Sequence, residues 1–212
     1  MPVATDRDLL MLEPGLFREV LFASQVLYEG EGGEVTGEVL TCPAANFISA
    51  GILPGMVVLL DSVPREIVEV LSDTQLRLSI LRAGENDEPI PPGDATDIKV
   101  TIATFLPQVG IVHRQLLRTL GIEPAGSESA VNEEAILNPH ALRLAECYGS
   151  MEMILAAAAS LVVESSTLWT KARAYRQRYA TERQGISVKL DTDGDGKAET
   201  VRRVNTVQLL RG

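Results

Sequence analysis

Aromatic residues make up only 4% of the 212 residues, and there are just two histidines and two cysteines. The shortage of aromatics counts against carbohydrate and nucleotide sites, which stack their ligands on aromatic faces. Cys42 and Cys147 stand in segments that read as separate substructures, so two small buried residues are expected rather than a disulfide or a metal pair. His113 and His140 lack metal-ligand spacing, no Gly-x-Ser-x-Gly elbow accompanies either, and both read as surface or helix-end residues. Gly30, Gly32 and Gly33 precede no helix, so they form neither a Walker loop nor a dinucleotide loop. The most apolar run, residues 154–163, is interrupted by Ser160 and is too short to cross a bilayer, so no membrane partner is expected. The first residues carry no basic stretch followed by an apolar one, so no signal peptide is expected and synthesis is placed in the cytoplasm. No internal repeat is visible.

What is present is acid, unevenly spread. The net charge is −10; residues 1–99 hold 17 acids and 6 bases, whereas residues 100–212 hold 12 acids and 13 bases. An acidic first half argues against nucleic-acid binding there and suits head-to-tail packing of identical copies, although ordinary solubility explains it as well.

Hydrophobic spacing divides the chain. Thr5 reads as a helix N-cap, with Asp6 and Asp8 in the first turn. Leu16, Phe17, Val20, Leu21, Ser24 and Leu27 recur at helical spacing, and the Glu29-Gly-Glu-Gly-Gly run ends that helix. Strand-like segments follow at 38–42, 66–71 and 75–80, with a short apolar run at 56–61 after a Pro54-Gly55 turn; residues 44–51 read as one helical turn, with Phe47 and Ile52 pointing inwards. Residues 82–97 read as a polar loop, and 97–104 alternates again in a way that closes a small barrel. Helix returns near Pro107, carries Val109, Val112, Leu116, Leu117 and Leu120, and stops at Gly121. Residues 123–134 read as a flexible linker. Asn138-Pro139 starts a mostly buried helix. A second helix carries Leu168, Ala172, Tyr175 and Tyr179 on one stripe and stops at Gly185. The expected fold is therefore α+β: a helical-bundle core (residues 1–30 and 105–185), an inserted small β-barrel-like module (36–104) and a C-terminal extended hairpin or tail (186–212).

Two constellations carry chemistry. Asp191-Thr-Asp-Gly-Asp-Gly places carboxylates at positions 1, 3 and 5 and glycine at position 6 of a calcium loop, with Glu199 at position 9. Position 12 is Arg202 rather than glutamate and the flanks read as strands, so an EF-hand is excluded. Either a calcium-stabilised turn (Asp191, Asp193, Asp195, Glu199) or a plain solvated turn remains. The basic helix 171–183 interleaves Tyr175 and Tyr179 with cations, which suits phosphates, an acidic protein partner or, most simply, a solvated face over an aromatic stripe.

Three stretches carry a resemblance: Ser166-Thr-Leu-Trp-Thr-Lys-Ala-Arg-Ala-Tyr-Arg-Gln-Arg-Tyr followed by Lys189-Leu-Asp-Thr-Asp-Gly-Asp-Gly; Asn46-Phe-Ile-Ser-Ala-Gly-Ile-Leu-Pro-Gly-Met-Val-Val; and the helix after Asn138. Together they resemble head–tail connector (adaptor) proteins of tailed bacteriophages. The β-module departs from the most compact adaptors, which are nearly all helix. The resemblance implies a non-enzymatic virion protein, made in the host cytoplasm and located at the head–tail neck. It would form a ring, usually a dodecamer, under the portal protein, with neighbouring copies of itself and a downstream neck or tail protein as partners. Packaged DNA would pass through without sequence recognition. It also implies a portal-binding C-terminal segment, here Val201, Val204, Val207, Leu209 and Leu210. A stopper or baseplate piece, or a calcium-stabilised binding module, is the alternative.

Overall fold

The computed structural model describes residues 1–129, 131–162 and 166–204. Two compact units divide them: Thr5–Leu106, and Met1–Ala4 together with the described residues from Pro107 onward.

The first unit opens with α1 (Asp6–Leu12) and the single turn α2 (Leu16–Glu19), followed by six strands. These are β1 (Val26–Thr36), β2 (Val39–Thr41), β3 (Val57–Leu60), β4 (Val63–Val70), β5 (Gln75–Ser79) and β6 (Ala95–Ala103). They form a closed antiparallel barrel in the order β1-β2-β5-β4-β3-β6. Closure removes the open edges a short curled sheet would otherwise present. It rests on β6, which pairs Val100 with Gly30 of β1 on one side and with Leu60 of β3 on the other. Inward residues of the strands, joined by Phe47 from the β2–β3 connection, fill the interior: Leu40, Phe47, Ile67, Leu76, Leu78 and Ile102 are fully buried.

A helical-bundle core is thus not what this chain builds: it is a mixed α+β protein containing a closed six-stranded barrel. The expectation failed at residues 20–36. Leu16 and Phe17 do sit on a helical turn, but Val20 is extended and the helix stops. Val26, Leu27 and Tyr28 then pair with β6, and the glycine run assigned to a helix end lies inside β1. Periodicity cannot separate a short helix from the start of a strand, and β-branched or aromatic residues tip the choice only when a partner strand exists. Gly33 is required there: a Cβ at this position would stand 2.6 Å from Val100 Cγ2. The unit holding the barrel accordingly begins at Thr5 rather than near residue 36.

The barrel unit also buries charge. Glu66 (2% exposed) takes a bidentate hydrogen bond from Arg82, with Nη2 at 2.6 Å and Nε at 3.2 Å. Arg7 Nε lies 3.1 Å from Glu66 Oε1 as an ion pair without hydrogen-bond geometry, and Arg7 Nη2 donates to the Arg82 carbonyl at 2.6 Å. Asp6 is fully buried; its oxygens accept from the Thr104 hydroxyl at 2.6 Å and the Phe105 N–H at 2.8 Å.

The second unit holds α3 (Leu106–Leu120), α4 (Arg143–Ser160), α5 (Ser166–Gly185) and the antiparallel hairpin β7 (Ser187–Leu190) and β8 (Thr200–Arg203). Pro107 occupies the first turn of α3, where a missing N–H is harmless. Its C-terminus is a Schellman turn: Gly121 N–H donates to the Arg118 carbonyl and Ile122 N–H to the Leu117 carbonyl. Leu116, Leu142, Ala145, Ile186 and Val188 share one core. The segment read as a flexible linker is tied down. Glu123 N–H bonds the Val131 carbonyl, Glu133 N–H bonds the Glu123 carbonyl, and Asn132 caps a 3-10 turn through its side chain. Among the described residues no helix is long and apolar enough to cross a membrane.

Candidate functional site

The Asp-rich turn joins β7 to β8. Val188 and Leu190 anchor β7 in the helical unit's core, and the Leu190–Thr200 pairing brings the two ends of the loop together. Between them Gly194 (φ +81°) and Gly196 (φ +82°) adopt backbone angles that glycine tolerates without strain. The result gathers Asp191, Asp193, Asp195 and Glu199, each offering an oxygen within 4.8 Å of the others. Calcium–oxygen distances of about 2.3–2.6 Å put ligand atoms at roughly this separation, so the donor set fits a hard cation.

The loop is also self-supporting. Asp191 Oδ1 accepts from Gly194 N–H at 2.6 Å and Oδ2 from Gly196 N–H at 2.7 Å. Glu199 Oε2 accepts from Thr192 N–H at 2.7 Å, and Asp195 pairs with Lys197 Nζ at 3.2 Å. These amides, Gly196 first, hold the Asp191 carboxyl below its ordinary range. Each such bond occupies one lone pair and leaves others for a metal.

The C-terminal candidates separate. Val201 is half-exposed on the outer face of β8, whereas Val204 packs partly against the helical core. Val207, Leu209 and Leu210 lie outside the described residues. On α5, Ala172 and Tyr175 are buried, while Arg178 lies 5.1 Å over the Tyr175 ring and Arg183 5.6 Å over Tyr179. The cations of this helix therefore partly roof an aromatic stripe. Trp169 stays 43% exposed, as are Leu161 (74%) and Val162 (52%) at the end of α4.

Sequence reasoning missed one cluster. His113, read as a surface residue, is 4% exposed, because it lies next to Val112 on the inner face of α3. Its Nδ1 is 2.6 Å from Glu146 Oε1 and its Nε2 is 3.0 Å from Glu133 Oε1. The other Glu146 oxygen accepts from the Val3 and Ala4 N–H groups at 2.8 and 2.7 Å. Glu146 falls among Ala145 and Cys147 on an apolar helix, and that break in pattern was the available signal. The arrangement ties residues 3–4 to α3 and α4; every polar atom of the Glu146 carboxylate is engaged within the fold. Cys42 and Cys147 are both buried and no disulfide joins them; burial pushes the Cys42 thiol up to about 11.

No family model, curated protein or solved structure matches this chain.

Proposed function

We propose that this chain is a structural subunit of the head–tail connector of a tailed bacteriophage, an adaptor that assembles as a ring beneath the portal protein. The observation that carries the reading is the order of elements in the helical unit. The resembling residues, Trp169 to Tyr179 and Asp191 to Gly196, fall on α5 and on the hairpin that follows it directly. Trp169, Leu161 and Val162 remain exposed, in keeping with a subunit that buries apolar surface on assembly. In this reading the partners are the portal protein, neighbouring copies and the next neck or tail protein. The role is architectural rather than catalytic, in the virion neck, and DNA passes without being read. The cation of the Asp-rich turn is calcium, because the donors are carboxylate oxygens with neither nitrogen nor sulfur among them.

The test is co-sedimentation with the portal protein of the same genome, comparing the full chain with one ending at Thr200. A ring-sized complex formed by the full chain alone supports both the connector role and C-terminal docking. Absence of binding by either chain removes the assignment and moves the calcium-stabilised module forward.

A further inference from the structure

Four arginines line two neighbouring clefts where the C-terminal turn of α3 meets β8. Arg118, Arg202 and Arg203 line a cleft of about 240 Å3 with Thr119, Leu120, Gly121, Val201 and Val204. Arg114, one helical turn earlier, shares a second cleft with Arg118, Gly121 and Glu123. None of the four arginine side chains has an ion-pair or hydrogen-bond partner among the described residues, in a chain carrying ten more acids than bases. The Nε of Arg202 is buried and lacks a partner.

The plain explanation is that these cations complement the C-terminal end of α3. That end carries only about half a negative charge. Its Leu117 and Arg118 carbonyls are already satisfied by Ile122 and Gly121. The Thr119 hydroxyl is spent on the Gln115 carbonyl. Three arginines lining one small cleft therefore exceed what the helix end can use, and no side chain among the described residues pairs with them. A carboxylate presents two oxygens in one plane, whereas a tetrahedral oxyanion presents more oxygens in more directions, which suits several arginine forks better.

We infer that the cleft between the C-terminal turn of α3 and β8 is a phosphate-binding site, formed by Arg118, Arg202 and Arg203, with Arg114 continuing the positive surface. The phosphate is either free or part of a nucleic-acid backbone. The inference is independent of the connector assignment, since it concerns the isolated chain.

The experiment uses the full chain and two probes: inorganic phosphate against sodium chloride of equal ionic strength, read as melting temperature, and a labelled random-sequence DNA duplex, read as anisotropy between 50 and 200 mM salt. The pair Arg118→Gln/Arg203→Gln removes two exposed cations. The pair Arg173→Gln/Arg176→Gln removes the same charge from α5. Phosphate should raise the melting temperature of the wild type and of the α5 pair but not of the Arg118/Arg203 pair. If the duplex also binds, and loses at least tenfold in affinity with a salt slope smaller by about two only in the Arg118/Arg203 pair, the source is a nucleic-acid backbone. If phosphate acts and the duplex does not bind, the source is a small phosphate. No effect of phosphate beyond chloride, or an effect that survives in the Arg118/Arg203 pair, overturns the site. Circular dichroism of both exposed pairs confirms that each is folded.

Discussion

Asp6 sets a measurable pH dependence in the barrel unit. It is fully buried, and burial outweighs its bonds from Thr104 and Phe105, pushing its carboxyl from 3.8 up to about 7. Below pH 4 the group is protonated in both folded and unfolded chains and adds no pH dependence. Between about pH 4 and 7 the unfolded chain gives up this proton while the folded chain keeps it, so stability falls as pH rises, by about 1.4 kcal/mol per unit. The whole window amounts to about 4 kcal/mol, of which roughly 2.5 falls between pH 5 and pH 8. An asparagine in place of Asp6 would keep the shape and both hydrogen-bonding positions, because the Thr104 hydroxyl can turn to accept. Asp6→Asn should therefore match the wild type near pH 3, and exceed its stability by about 1.5 kcal/mol at pH 5 and by about 4 kcal/mol at pH 8. Calorimetry at these pH values, following the transition that contains the barrel, reads the difference, and subtracting wild type from variant cancels the other acids of this unit. Wild type and variant with parallel pH profiles would refute the reasoning, since Asp6 would then be ionised in the fold at no cost.

Glu66→Ala should destabilise the barrel unit by about 3–5 kcal/mol, seen as a lower urea midpoint, because it leaves the buried Arg7 and Arg82 guanidiniums without their shared carboxylate. Gly33→Ala drives a methyl into Val100 and should cost about 1–3 kcal/mol; pairing it with Val100→Ala should recover much of the loss, and additive effects would show that the contact is not the cause. If the Asp-rich turn holds calcium, a hundredfold excess over its dissociation constant adds about 2.7 kcal/mol, which a chelator removes and which Asp191→Asn abolishes; melting curves unchanged by chelator leave only a solvated turn. Cys42 should resist alkylation at pH 8 in the folded chain and react on unfolding, as counted by mass spectrometry.

Some of this was legible in the residues. Period-two alternation located β2, β4, β5 and β6 within a few positions, a short apolar run after Pro54-Gly55 located β3, and Thr5, Pro107 and Gly121 marked helix ends by local stereochemistry alone. The carboxylates of the Asp-rich turn were readable because a turn brings near neighbours together whatever the rest of the chain does. Local signals of this kind act through the backbone angles and spacing of a few adjacent residues. β1, by contrast, became a strand because β6, some seventy residues away, offers it a ladder of hydrogen bonds. His113 was brought to Glu146 and Glu133, Asp6 was sealed against Thr104, and Arg118 was set beside Arg202 only when elements distant in sequence packed together. Burial and charge pairing depend on which surfaces meet, and that is decided by the packing of whole elements rather than by the spacing of residues along the chain.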